Sequence, residues 1–140
     1  MIYRNEDISE INFIQKLEAI LAKFQSEGKT VTICGDMNLN LMKMNYTSPY
    51  VQAIKLNNFS SLITHPTHIS PIGTESCIDH IITNKSTPVT AGIIQSDICR
   101  HTATFVVYDD EIPPVSPVKK LREDFIGIEP LLVGFFWHFY

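Results

Sequence analysis

The sequence predicts a domain of the α/β class. Apolar residues first recur with a helical period, an apolar β-branched run follows after a glycine-containing turn, and further strand-like runs occur later in the chain. The order helix, turn, buried strand is used by α/β folds and by layered sheet sandwiches with helices on the outside. With 140 residues, 44% of them hydrophobic, the chain is long enough for one domain with a real core.

The first predicted helix spans residues 7–25. Asp7 is the predicted N-cap, and Glu10, three positions later, completes a capping box. Gly28 predicts where the helix stops. The apolar positions that define its buried face recur at three- and four-residue steps: Ile8, Ile11, Ile14, Leu17, Ile20, Leu21 and Phe24.

The chain is organised around the next stretch, residues 30–38. Val31 and Ile33 alternate with threonines, which favours a strand, and Gly35 is predicted to let the backbone turn tightly after it. Asp36 and Asn38 would then emerge at the carboxyl end of the strand, where their oxygens could face a cation, a water or a phosphate. An Asx turn that closes a βα connection explains the same two residues equally well.

The later predicted elements are a helix over residues 49–56 and strands over residues 59–64, 77–83, 89–95 and 102–108, with a loop marked by Pro66, Pro71 and Gly73. One of these strands contains Asp79 and His80 within an apolar run. An acid and an imidazole are expensive to bury unless they are paired or functional. We therefore expect them at the edge of the sheet that carries the site.

Charge and cysteine content exclude some classes of protein. A net charge of -4 argues against a broadly basic surface that coats nucleic acid. It does not exclude a nuclease, which needs only a local group of basic residues around its site. Cys34, Cys77 and Cys99 are odd in number and form no Cys-x-x-Cys pair. We therefore expect free, buried thiols in a reducing compartment rather than a disulfide framework or a zinc site.

The two ends of the sequence predict no membrane association. Residues 1–7 are polar and lack the apolar region of a signal peptide, which predicts an intracellular protein, with the nucleus included. Residues 125–140 are strongly apolar, but Pro130 and two glycines interrupt them and the run is shorter than the ~20 residues of a spanning helix. We expect no membrane partner.

Four segments, taken in order, resemble one known superfamily. Residues 31–38 resemble an apolar strand that ends in Gly-Asp-x-Asn, and residues 63–69 resemble a Pro-Thr-x-Ile loop. Residues 76–84 resemble Leu-Ile-Asp-His-Ile-Phe-Thr-Asn, and residues 96–105 resemble Ser-Asp-Ile-Ser-Asp-His with the strand after it. This ordered set is similar to the endonuclease/exonuclease/phosphatase superfamily, and most closely to the apurinic-type endonuclease domain of non-LTR retrotransposons.

The resemblance implies a fold and an activity. The fold is a partial four-layer α/β sandwich of the DNase I-like type, with residues 1–110 as the carboxyl-terminal portion of the domain and residues 111–140 as a divergent, proline-containing linker and apolar tail. The implied activity is Mg²⁺-dependent hydrolysis of phosphodiester bonds in DNA.

The resemblance also implies roles for four residues. Asp36 would orient or deprotonate the attacking water, and Asn38 would hydrogen-bond the phosphate. His101 would bind a phosphate oxygen and stabilise the charge of the transition state, while Asp79 would pair with that imidazole and favour its protonated form. His80 alternates to the opposite side of the strand, which predicts a structural role.

Other histidines and lysines are expected outside the site. His65, His68 and His138 are predicted to be loop or surface histidines. Three lysines could contact a nucleic-acid backbone: Lys43, Lys55 and Lys85. Isolated lysines, however, are usually solvated surface residues.

Two departures from the family predict reduced activity. Arg100 occupies the position at which the family has a metal-associated aspartate, directly before the histidine, and its fixed positive charge would oppose a cation there. The family's amino-terminal half, which supplies an asparagine and a glutamate to the metal, has no counterpart before Asp7. We therefore expect an impaired or inactive fragment with one edge or face of its sheet exposed.

Two other functions fit the sequence. A non-catalytic module could use the phosphate-facing groups to hold nucleic acid or a protein. A phosphatase of the same superfamily is also compatible, because substrate choice depends on loops that the sequence does not resolve.

Overall fold

The computed structural model describes residues 1–86, 89–95 and 99–108. The predictions for residues 111–140, including His138, lie outside the described residues. Two helices, α1 (Glu10–Ser26) and α2 (Pro49–Leu56), and a 3₁₀ turn (Leu41–Lys43) accompany seven strands. The strands are β1 (Thr32–Asp36), β2 (Ser60–Ser61), β3 (His68–Ile69), β4 (Glu75–Ser76), β5 (Asp79–Thr83), β6 (Val89–Ile94) and β7 (Ala103–Tyr108).

The central sheet has the strand order β1-β5-β2 and is antiparallel. In the β1–β5 pair, Thr32 lies opposite Thr83 and Asp36 lies opposite Asp79. β6 and β7 form a separate antiparallel pair, and so do the short strands β3 and β4.

The central sheet separates two hydrophobic clusters. Ile33 and Ile82, which are cross-strand partners, belong to the cluster that contains the buried faces of α1 and α2. The next pair, Cys34 and Ile81, belongs to a second cluster that also contains residues of β6 and β7. Since successive side chains of a strand point to opposite faces, helices cover one face of the sheet and the β6–β7 pair covers the other.

The start of α1 differs from the prediction. The helix begins at Glu10 with Ser9 as its N-cap, and no side-chain hydrogen bond caps it. Asp7 instead lies in a turn in which its own N–H donates to Asn5 Oδ1 (3.2 Å) and the N–H of Ile8 donates to Asn5 O (2.9 Å). This turn removes Asp7 from the cap position, so the predicted capping box is wrong.

Gly35 does not make the predicted turn. It lies inside β1 with a positive φ (153°), and the left-handed turn comes later, at Asn38 (φ 48°). Residues 2–4 run beside the outer edge of β1, where the N–H of Ile2 donates to Cys34 O (2.9 Å) and the N–H of Arg4 donates to Asp36 O (3.0 Å). Ile2 O passes so close that a Cβ on Gly35 would lie 1.7 Å from it. Gly35 therefore permits a close approach, and this edge of the sheet is covered rather than exposed.

Most of the other predicted elements lie where the sequence placed them. α2 has the predicted limits, and β5, β6 and β7 fall inside the predicted strands. β2 has two residues instead of the predicted six, and the predicted loop after it contains β3 and β4. Cys99 is exposed, so it is not one of the buried thiols that we expected. Within the described ranges, none of the helices has the length and apolar character needed to span a lipid bilayer.

Candidate functional site

Two carboxylates meet at one end of the central sheet. Asp36 is the last residue of β1 and Asp79 is the first residue of β5, and the two are direct cross-strand partners. Like charges in directly opposite positions destabilise a strand pair. Because neither side chain is fully exposed, solvent screens the repulsion between the two carboxylates only in part.

His101 completes the cluster. Its Nδ1 donates to Asp79 Oδ2 at 3.0 Å, and one ligand atom each of Asp36, Asp79 and His101 lies within 4.8 Å of the others. The hydrogen bond to Asp79 raises the pKa of His101, burial opposes this, and the charges of Asp79 and Asp36 raise it further. The site therefore favours an imidazolium held between two carboxylates.

Thr67 connects the elements that carry these side chains. Its hydroxyl oxygen accepts the backbone N–H groups of Ile78 (3.1 Å) and Asp79 (3.0 Å), and its carbonyl accepts the N–H of Thr102 (2.8 Å). Thr67 is fully buried. The threonine of the Pro-Thr-x-Ile segment thus fixes the start of β5 and the residue after His101 relative to each other.

Asn38 lies in the turn that follows Asp36. Its backbone N–H donates to Asp36 Oδ1 (2.9 Å), and its side-chain Nδ2 donates to Arg4 O (2.9 Å). Asparagine tolerates the left-handed conformation found here better than most residues do. The backbone N–H of Asn38 therefore contacts the Asp36 carboxylate, while the side-chain amide is held by Arg4 and keeps a second N–H for a further acceptor.

His68 is a site neighbour that the sequence assigned to a loop or the surface. It lies in β3, forms a β-bridge with His101, and its ring centroid is 4.7 Å from that of His101. Burial and the charge of His101 lower the pKa of His68, although Asp79 opposes this. The site thus combines one imidazole whose pKa is raised, His101, with one whose pKa is lowered, His68. A two-residue strand carries no periodic signal, so the sequence could not have located His68.

His80 points to the opposite side of β5 and is fully buried. Its Nε2 donates to Leu39 O (2.8 Å), with Cys77 O at 3.2 Å, and its Nδ1 accepts from the Tyr50 hydroxyl (2.7 Å). Burial lowers the pKa of His80 and so favours the neutral ring, although the hydrogen bonds to Cys77 and Leu39 act in the opposite direction. These contacts agree with the structural role predicted for this residue.

The predicted basic residues lie at the periphery. Arg100, Lys43 and Lys55 are exposed, and the ammonium group of Lys55 lies over the Tyr46 ring, 3.9 Å from its centroid. The ammonium group of Lys85 lies 4.3 Å from the centroid of the Tyr108 ring. The charge of Arg100 reaches His68, whose pKa it helps to lower.

The three clustered residues fit a resident Mg²⁺ poorly. Mg²⁺ requires oxygen ligands in octahedral geometry. Asp79 Oδ2 is already engaged by His101, and a protonated imidazole cannot act as a ligand. Among Asp36, Asp79 and His101, Asp36 is therefore the one oxygen ligand that His101 does not already engage. These three residues do not form a complete magnesium site.

The chain matches no protein-family model, no curated protein and no solved structure.

Proposed function

We propose that this chain is the carboxyl-terminal portion of a retrotransposon-type endonuclease domain and that its site recognises the phosphodiester backbone of DNA. The helices, the central sheet and the β6–β7 pair would then be part of a four-layer α/β sandwich. The observation that carries this proposal is the cluster of Asp36, Asp79 and His101 at one end of the sheet, with ligand atoms within 4.8 Å of one another. Its members come from three separate segments of the sequence.

The chemistry of the cluster suits a phosphodiester. An imidazolium held by Asp79 can donate its other N–H to a phosphate oxygen and stabilise the negative charge that develops during in-line attack. The side-chain amide of Asn38, in the turn directly after Asp36, keeps one N–H that can act as a second donor. The Asp36 carboxylate is suited to orient an attacking water or to accept its proton.

We expect hydrolysis by this chain to be weak. Arg100 takes the position of a metal-associated acid, and one of the two clustered carboxylates is committed to His101. Removal of a single group that stabilises the transition state typically costs 10²- to 10³-fold in rate. Wild-type protein incubated with Mg²⁺ and supercoiled plasmid should therefore nick DNA no faster than Asp36→Ala. Robust nicking that Asp36→Ala abolishes would show that the chain is an active enzyme.

An aspartate at position 100 would restore the acid of the family's motif, and it tests whether this position once contributed to a metal site. Arg100→Asp should raise Mg²⁺ affinity, measured by isothermal titration calorimetry, and should raise plasmid nicking above the wild-type level. Arg100→Ala removes the positive charge without adding a ligand, so it separates relief of repulsion from true coordination. Equal Mg²⁺ affinity in the two variants would contradict the assignment of this position.

A non-catalytic phosphate-binding module is the second candidate. The observation that favours it is His101, whose pKa is raised, next to exposed Arg100, since an imidazolium and a guanidinium attract phosphate whether or not a metal is bound. Fluorescence anisotropy with a short duplex should then show binding that weakens as salt rises, and His101→Gln should weaken it further. His65→Gln, the same change at an exposed histidine, is the matched control. Absence of binding at low salt would remove this candidate.

A further inference from the structure

The three backbone carbonyls that follow Asp36 are all held by buried side chains. Arg4 Nε donates to Met37 O (2.8 Å), and Arg4 Nη2 donates to Asn38 O (2.6 Å). His80 Nε2 donates to the next carbonyl, Leu39 O (2.8 Å). In this turn, residues 36–39, each carbonyl after Asp36 therefore accepts a hydrogen bond from a buried side chain.

Arg4 is the main anchor of the turn. Its side chain is buried, and its third nitrogen, Nη1, donates to Ile8 O (2.6 Å). Its backbone also takes part, because its N–H donates to Asp36 O and its carbonyl accepts the side-chain amide of Asn38. Burial of a charged guanidinium is expensive, and hydrogen bonds to carbonyls offset that cost.

The turn needs such an anchor. Asn38 has a left-handed backbone, so the carbonyls after Asp36 cannot enter a regular helix or sheet ladder. A planar guanidinium with several N–H groups in fixed directions can hold consecutive carbonyls at once, whereas a lysine ammonium is a compact point charge on a flexible chain.

We infer that Arg4 is a positioning residue of the site: its guanidinium holds the turn of residues 36–39 so that the Asp36 carboxylate stays bonded to the Asn38 N–H and close to His101. This inference deepens the proposed function and rests on it for its relevance to DNA. The hydrogen bonds that it concerns can nevertheless be measured without DNA.

The test is amide hydrogen exchange by NMR in Arg4→Lys, which keeps the positive charge but loses the planar guanidinium with its several N–H donors. The reporter is the Asn38 amide, which donates to Asp36 Oδ1, and the reference is the Leu62 amide, which donates to Ile81 O (2.8 Å) in the central sheet. Arg4→Lys should increase the ratio of the Asn38 to the Leu62 exchange rate by about tenfold or more.

Asn84→Ala is the matched control for loss of stability. Asn84 Oδ1 accepts the N–H of Val31 (2.7 Å) at the opposite end of β1, and its Nδ2 donates to Lys29 O (2.7 Å). Its substitution should weaken the same strand while it leaves the ratio of Asn38 to Leu62 exchange unchanged. An unchanged ratio in Arg4→Lys as well would overturn the inference.

The wild-type protein offers a measurement that needs no folded variant. The Nε–H of Arg4 should exchange slowly with solvent, because it is buried against Met37 O. Rapid exchange of this proton would also overturn the positioning role. The affinity of the wild-type protein for a DNA duplex separates the positioning role of Arg4 from the proposed function. If Arg4→Lys alters the exchange ratio but the wild type does not bind DNA, the positioning role stands and the proposed function is rejected.

Discussion

The protonation of His101 depends chiefly on Asp79. Their hydrogen bond is the largest influence that raises the pKa of His101, and burial acts in the opposite direction. Asp79→Asn should therefore lower the pKa of His101, since the stabilising anion is lost while burial remains. An NMR titration of the imidazole signals measures this directly. Asp7→Asn, the same change at an exposed carboxylate, is the control, and equal His101 pKa values in both variants would contradict the pairing.

Asn38 combines a backbone role with a side-chain role, and a second residue allows them to be separated. Asn38 and Asn58 both have a left-handed backbone (φ 48° and 58°), but only Asn38 lies in the site turn. At either position, alanine should be less stable than glycine by about 1 kcal/mol because of backbone strain. Urea unfolding of the four variants measures this difference.

Duplex affinity should distinguish the same variants. Asn38→Gly keeps the backbone conformation but removes the amide donor, so it should weaken DNA binding, whereas Asn58→Gly should not. Equal binding by Asn38→Gly and the wild type would show that the amide does not contact the phosphate.

At the scale of elements, Gly35 links the first residues of the chain to β1. A Cβ at this position would lie 1.7 Å from Ile2 O and 2.8 Å from Ile2 C, and both are backbone atoms that cannot rotate away. Gly35→Ala should therefore displace residues 2–4 from β1 and release Arg4 from the site turn. We expect a loss of several kcal/mol in unfolding free energy, in the range known for severe steric substitutions.

Gly73→Ala provides the control for this prediction. Gly73 also has a positive φ (79°), but a Cβ there would meet no atom within 4 Å. It should cost only the backbone strain of about 1 kcal/mol. If urea unfolding shows similar losses of unfolding free energy in Gly35→Ala and Gly73→Ala, the close approach of Ile2 is not what requires a glycine at position 35.

Local patterns in the sequence located most elements, whereas the site role of His101 was predicted from the family resemblance. The period of α1, the limits of α2 and the apolar runs of β5 and β7 are visible in single segments. By contrast, Arg4 contacts carbonyls more than 30 positions away, as its bonds to Met37 and Asn38 show (separations of 33 and 34). Such contacts leave no periodic signal, so neither the Arg4 anchor nor the covered edge of β1 could be predicted.

The whole molecule joins its layers through polar contacts as well as apolar ones. The Thr32 hydroxyl is hydrogen-bonded to Thr83 Oγ1 (3.0 Å) within the central sheet and to the Tyr108 hydroxyl of β7. The side chains of Ala91, Ile93 and Val106 pack against the same face of the sheet. β1 is therefore supported by helices on one face, by β6 and β7 on the other face and by residues 2–4 along its edge.

Three histidines give the molecule opposing responses to pH. Burial lowers the pKa of His80 and contributes most to lowering that of His68, so both weaken the fold as pH falls below the ordinary imidazole value of about 6.5. The pKa of His101 is raised, so its stabilising contribution is fully present below about 6.5 and is lost as pH rises through its folded value. His101 therefore offsets part of the loss on acidification.

Removal of His101 should consequently steepen the loss of stability in acid. The unfolding free energy of His101→Gln, measured by urea titration from pH 8 to pH 5, should fall more between pH 7 and pH 5 than that of the wild type, because the offsetting group is gone. His65→Gln, an exposed position, should follow the wild-type curve. Parallel curves for His101→Gln and the wild type would mean that folding does not raise the pKa of His101, which would contradict its pairing with Asp79.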